Sequence, residues 1–287
     1  MLSTSATVHL LELHYLARPG ESRVRADIVS TAANLGGFAF GALLSGLLVQ
    51  FVPMPLYTPY ITFLVLLIVA AVATSFVPET LVRPVGEGAR QVPSRRRGER
   101  VPREARGRYL AAGALAFGAL GMLGMFAALA SSLISVELRH TSPALTGAVV
   151  AVTFASSAGG QLLIRRLNDS VQVRIGMALM VVGTVGYASS LSAASPVLLV
   201  VGGVVAGGGA GMLFKQGLGL GASLAHRGLG GEALAGLLLL GFLGLALAPV
   251  GIGVVTLVLP LTTALVIFSA VIVAVVLMGG VVLGRAG

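Results

Sequence analysis

Long apolar runs dominate the pattern of hydrophobic and polar positions along this chain. Crossing a bilayer takes roughly 20 apolar residues in a helix, and seven runs meet that length comfortably. An eighth run meets it if Lys215 is allowed near its end. The runs lack the period-two alternation of membrane β-barrels. The predicted spans are residues 28–52, 58–77, 109–136, 143–164, 175–194, 196–222, 233–257 and 260–283. The pattern therefore predicts an all-α, polytopic membrane bundle of about eight transmembrane helices.

The composition also favours a membrane protein. The 287 residues are 56% hydrophobic and 10% charged, with a mean hydropathy of +0.98, whereas soluble domains carry about 25% charged residues. There are no cysteines, which excludes disulfides and cysteine-based zinc sites. Nearly all of the basic residues are arginine, and alanine, glycine and valine are abundant. This usage is typical of GC-rich bacterial genomes, so we expect a multi-pass protein of the bacterial plasma membrane.

The basic residues predict how the spans are oriented. If segment 15–27 is cytoplasmic, 17 of the 19 lysines and arginines fall on that side, nine of them between Arg83 and Arg108. Short loops rich in lysine and arginine stay in the cytoplasm, so we expect loop 84–108 and the C-terminus there. A nucleic-acid-binding arm is the rival interpretation, but no zinc ligands, helix-turn-helix pattern or aromatic platform lies nearby. We therefore expect a topology loop beside the lipid bilayer, with or without contact to anionic lipids, and no nucleic-acid partner.

Two local sequences resemble the major facilitator superfamily. The run LARPGESRVRADIVSTAANLGGFAFGALLSGLL resembles that family's loop between helices four and five followed by helix five, and VPETLVRP resembles the ending of helix six. The resemblance implies two six-helix halves joined by a long cytoplasmic loop. Residues 1–83 would then be a remnant of the first half (the end of helix four, then helices five and six), 84–108 the basic linker, and 109–287 the second half. On this alignment the first helices are missing, so we expect a truncated gene product or a misplaced start codon.

The resemblance implies secondary transport of a small molecule by alternating access. Efflux, as in drug/proton antiporters, is the preferred direction, because helix five of those proteins carries GxxxGPxxGG and Gly37, Gly41 and Gly46 match it. Ala42 and Ser45 replace the proline and one glycine of that motif. The alternatives are a sugar or metabolite importer of the same superfamily, and a non-transporting or scaffolding membrane fragment. Assembly with a separate chain that supplies the missing helices is a further alternative.

Glycines recur at helical spacing in two spans and predict close helix packing. The first stripe comprises Ala33, Gly37, Gly41 and Ser45, which recur every four residues, next to the motif glycine Gly46; the second comprises Gly203, Gly207 and Gly211 in span 196–222. Small residues let neighbouring helix backbones approach closely. A plain packing stripe is thus the alternative to an antiporter signature in the first span. We expect leucine at Gly41 or Gly207 to force neighbouring helices apart.

Polar side chains inside the spans are the candidate cavity liners, because such groups are expensive in lipid. They are Asn34, Thr153, Ser157, Gln161, Lys215 and Gln216. A spacing of four residues puts Thr153, Ser157 and Gln161 on one face of a helix. For Lys215 two interpretations stay open: a lysine that snorkels to the membrane surface, or a cation that lines the cavity.

No enzyme signature occurs in the sequence. The motifs HExxH and GxSxG and a phosphate-binding glycine loop before a lysine are all missing, and the four histidines show no ligand spacing. We therefore expect neither catalysis nor a metal or other cofactor. Proton or other ion coupling stays open. Because no carboxylate lies at mid-span, the titratable group is expected in the missing helices, or coupling follows another route.

Overall fold

Helices account for almost all of the described structure. A computed structural model of the chain describes residues 24–76, 103–138, 142–163, 167–193, 195–224 and 230–285. We number its helices in chain order. They are α1 (Val24–Phe51), α2 (Thr58–Ser75), α3 (Arg103–Leu138), α4 (Pro143–Leu163), α5 (Asp169–Ser189), α6 (Pro196–Leu224), α7 (Gly230–Val255) and α8 (Leu261–Arg285).

Each of these helices is long and apolar enough to cross a bilayer, and the described residues contain no β-strand. The predicted all-α membrane fold is therefore confirmed. Proline marks several helix starts: Pro143 and Pro196 open α4 and α6, and Pro59 lies in the first turn of α2. The first N–H groups of a helix have no partner inside it, so a proline there loses no hydrogen bond.

Two helix starts lie six residues before the predicted spans. α5 begins at Asp169 instead of residue 175, because Asn168 in extended conformation precedes it and an acidic residue is favourable in a first turn. The apolar run thus marks the membrane core, whereas the helix starts earlier. α3 begins at Arg103, inside the predicted linker, because arginine, glutamate and alanine favour a helix. The remainder of the linker, 84–102, and the stub 1–14 lie outside the described residues.

Helices α3 to α8 pack together, and we call them the bundle. α3 lies at its centre, against α4, α6, α7 and α8, with 78% of its span buried. Its residues Met122, Met125 and Phe126 are fully buried, and the Phe126 ring packs 4.9 Å from that of Tyr187 in α5. α6 is the second central helix and packs against α3, α4, α5 and α7.

Helices α1 and α2 form a separate unit, which we call the arm. α1 packs along α4 of the bundle, and α2 makes a weak contact with α1. Only 11% of the α1 span and 6% of the α2 span are buried. The arm is therefore attached to the bundle mainly through one helix pair.

The helix ends form two faces, because consecutive helices run in opposite directions. Contacts such as Gly46 with Gly147 and Gly202 with Tyr187 fix this alternation. The lysines and arginines of the described helices all lie toward the face where α1, α3, α5 and α7 begin. We call this face the basic end and the other the distal end.

Candidate functional site

The arm meets the bundle along a seam between α1 and α4, which run antiparallel. A Cβ atom added at Gly46 would lie 2.5 Å from the Pro143 carbonyl oxygen, and one added at Gly147 would lie 2.5 Å from that of Ala42. Both distances are far below van der Waals contact. The two backbones therefore touch only because neither glycine carries a side chain.

A cavity of about 470 Å³ opens beside this seam, at its distal end. Its lining comes from α1, α3 and the start of α4: Ala42, Ser45, Gly46, Val49, Ala127, Ser131, Ile134, Ser142, Pro143, Thr146, Gly147 and Val150. None of these lining residues is charged. The volume falls within the range of small-molecule pockets, about 300–1,000 Å³. The cavity is therefore large enough to hold a small solute between mostly apolar walls.

Four hydroxyl groups line the cavity, and two of them are already used. Ser142 Oγ donates to Gln50 Oε1, and Thr146 Oγ1 donates to the Ser142 carbonyl oxygen over 3.2 Å. The hydroxyls of Ser45 and Ser131 have no hydrogen-bond partner within the described part of the chain. They stand on α1 and α3, so two walls of the cavity each offer a solute a hydroxyl that can donate and accept.

The N-terminus of α4 is capped by a residue of α1. Gln50 Oε1 accepts hydrogen bonds from Ser142 Oγ, over 2.8 Å, and from the Ala144 N–H, over 2.9 Å. Ser142 Oγ in turn lies 3.3 Å from the Leu145 N–H, which donates to it. Orphan N–H groups of a first turn need such partners. Here one partner comes from across the arm–bundle seam.

Three of the predicted cavity liners lie on the side of α4 that meets α6. Thr153, Ser157 and Gln161 are all buried. Thr153 Oγ1 donates to the Val149 carbonyl oxygen of its own helix over 3.0 Å. The Ser157 hydroxyl has no hydrogen-bond partner among the described atoms. None of the three lines the cavity described above.

The other three predicted liners also lie away from this cavity. Lys215 Nζ donates to the Gln161 carbonyl oxygen over 3.1 Å, which joins α6 to the last turn of α4. Gln216 donates to Gln172 Oε1 of α5. Asn34 is half-buried on α1. A role in solute binding for these residues stays a prediction.

The second glycine stripe lies in the interior of the bundle. A Cβ at Gly207 would lie 2.6 Å from the Thr153 carbonyl oxygen, and one at Gly211 would overlap that of Ser157. Gly203 instead lies beneath the Phe126 ring of α3. The stripe therefore meets two helices, α3 and α4. In contrast, a Cβ at Gly37 or Gly41 would meet nothing within 4 Å in the described structure.

Sequence reasoning missed the residues that carry the cavity's polar groups. Ser45 stood out only as a departure from a glycine motif, and Ser131 is one of two adjacent serines in an apolar span. Gln50 ends an apolar run, where a polar residue is ordinary. The sequence contained one signal for this site: the pair Ser142-Pro143, which is typical of a helix start.

Comparison with known proteins identifies the family. A profile of the Major Facilitator Superfamily matches residues 19–249, well over half of the chain. Searches of curated proteins and of solved structures each gave no match. The matched region runs from the start of the arm through most of the bundle, and all of its helices are of membrane-spanning length. The chain therefore belongs to the major facilitator superfamily, whose members are membrane transporters.

Proposed function

We propose that this chain moves a small molecule across the membrane by alternating access, with export preferred, and that the solute binds in the cavity between α1, α3 and α4. One observation carries the proposal: the cavity lies at the junction of arm and bundle. Any movement of α1 relative to α4 changes the shape of its walls. Secondary transporters bind solutes where two such units meet.

The walls favour an uncharged solute with hydrogen-bonding groups. Burying an ion without an opposite charge is expensive, and the described lining residues carry none. A helix N-terminus can attract an anion, but the N–H groups of Ala144 and Leu145 already have partners. The remaining polar groups are the Ser45 and Ser131 hydroxyls. They suit alcohol, carbonyl or amide groups on an otherwise apolar molecule.

The proposed orientation has the basic end in the cytoplasm, because loops rich in arginine are retained there. The distal cavity then faces away from the cytoplasm. The export preference draws on the partial match of Gly37, Gly41 and Gly46 to the antiporter motif.

Transport by the purified chain in lipid vesicles tests the proposal. We expect uncharged amphipathic solutes to move, and cations and anions of similar size to stay behind. Replacing both Ser45 and Ser131 by alanine should slow the movement about thirtyfold, because each hydrogen bond contributes about 1 kcal/mol. Ser75→Ala is the matched control, since its hydroxyl bonds its own helix at an exposed site. If no solute moves, or the double variant transports at the full rate, the proposal is wrong.

A scaffolding role is the second candidate, because much of the arm is uncovered. Nothing lies within 4 Å of a Cβ at Gly37 or Gly41 in the described structure, and only 6% of the α2 span is buried. A separate chain that covers this surface would fit both observations. Photocrosslinking from a cysteine at Gly41 in native membranes tests it. Recovery of a second chain, with no solute movement by the chain alone, would favour this candidate.

A further inference from the structure

A polar link joins the arm to the bundle at the distal end of their seam. Gln50 of α1 accepts hydrogen bonds from Ser142 and from the Ala144 N–H, at the start of α4. Both of these bonds lie at the distal end, within the last turn of α1 and the first turn of α4. Further along the seam lie the backbone contact at Gly46 and Gly147 and the Phe38–Phe154 ring stack, 5.3 Å between centroids.

We propose that Gln50 is a latch that holds the distal end of the α1–α4 seam closed. Apolar contacts are non-directional and tolerate small sliding and tilting, whereas hydrogen bonds depend steeply on distance and angle. Separation of the helix ends therefore breaks the Gln50 bonds at once and leaves the N–H of Ala144 without its cap. The inference rests on the proposed function, since alternating access requires this end to open.

The strength of the link suits a latch that opens repeatedly. Gln50 is exposed one residue before the end of α1, and at a helix end at the membrane surface water can replace its bonds when the two helix ends separate. One hydrogen bond of this kind shifts an equilibrium about fivefold, and two shift it about thirtyfold. A bias of that size holds one state without locking it, because a ligand can readily outweigh it.

Distances between spin labels test the latch directly. The chain has no cysteines, so pairs of introduced cysteines are the only labelling sites. Phe51 and Leu145 are 70% and 40% exposed at the distal ends of α1 and α4, and a label pair there reports opening. Exposed Ala33 and Leu163 provide a second pair at the basic end. In Gln50→Ala we expect the ratio of long to short distal distances to rise about thirtyfold, while the basic-end distances stay the same or shorten.

Gln50→Glu is the matched control. A carboxylate accepts the same two hydrogen bonds, and its charge is favourable at the N-terminus of α4, so the distal distances should remain short. Unchanged distal distances in Gln50→Ala, an equal effect of Gln50→Glu, or widening at both ends would each overturn the latch. The measurement needs no solute. A latch response without solute movement in vesicles would thus contradict the transport proposal alone, and transport with unresponsive distances would contradict the latch alone.

Discussion

Helix α4 forms two glycine-lined seams, and they differ in where their polar links lie. Against α6, the glycines at 207 and 211 lie on α4 carbonyls, while Ser156 donates to Val204 and Lys215 to Gln161 at points along the contact. Against α1, Gly46 and Gly147 make an equally close contact, and the Gln50 link lies at its distal end. Polar links thus accompany the backbone contact at several points along the α4–α6 seam, and the Gln50 link of the α1–α4 seam lies at its distal end.

This difference separates a structural contact from one that can move. A seam held by hydrogen bonds along its length loses several of them in any tilt, whereas one held at its end can open by releasing a single side chain. The cavity lies beside the second kind of seam. Close glycine packing alone therefore does not distinguish a fixed helix pair from a movable one. We expect the distribution of hydrogen bonds along the contact to distinguish them.

The largest expected effect comes from Gly207→Leu. A Cβ there would lie 2.6 Å from the Thr153 carbonyl oxygen, and a backbone carbonyl cannot turn aside as a side chain can. Overpacking of this kind costs about 3 kcal/mol or more, so we expect a strongly lowered thermal midpoint in detergent and poor accumulation in membranes.

Gly41→Leu is the comparison for that variant. Nothing lies within 4 Å of a Cβ at Gly41 in the described structure, so the free energy of unfolding should change by less than about 0.5 kcal/mol. From the sequence we expected leucine to separate helices at both Gly41 and Gly207. With the structure, we expect this separation at Gly207 and not at Gly41. Equal destabilisation by the two substitutions would show that the contact at Gly207 is not decisive.

The positions of the helices could be read from the sequence, but the helix faces that line the cavity could not. Apolar run length determines a membrane span, so the fold class and the family were predicted and are confirmed. Local spacing also put Thr153 and Ser157 on one face of α4. Which neighbour covers that face depends on how the helices rotate and cross, which spacing within one helix does not encode. The free hydroxyls of Ser45 and Ser131 depend on two helices far apart in the chain.

A smaller effect is expected from Gly46→Leu, which changes the α1–α4 seam. A side chain there meets the Pro143 carbonyl oxygen at its first atom, so α1 should be pushed away from α4 at a cost of about 1–3 kcal/mol to that contact. Because the bundle core around α3 is untouched, its thermal midpoint should stay near that of the unaltered chain. Distances between labels at Phe51 and Leu145 would measure the separation. Gly36→Leu is the control, with no atom within 4 Å of its Cβ in the described structure, and a similar separation there would contradict the argument.

The smallest effect is expected from Lys215→Ala, which removes one hydrogen bond from the α4–α6 seam. Lys215 donates to the Gln161 carbonyl oxygen in the last turn of α4, where a positive charge also favours the helix dipole. Because Lys215 is half-buried and other links hold this seam, we expect a loss of about 1 kcal/mol in the free energy of unfolding, seen as a slightly lower thermal midpoint. Lys215→Arg keeps the charge and the donor and should recover most of it. If Lys215→Ala instead leaves the thermal midpoint unchanged and slows solute movement in vesicles, the lysine acts on the solute and not on the seam. The hydrogen bond of Ser156 and the glycine contacts would then be what distinguishes the α4–α6 seam from the α1–α4 seam.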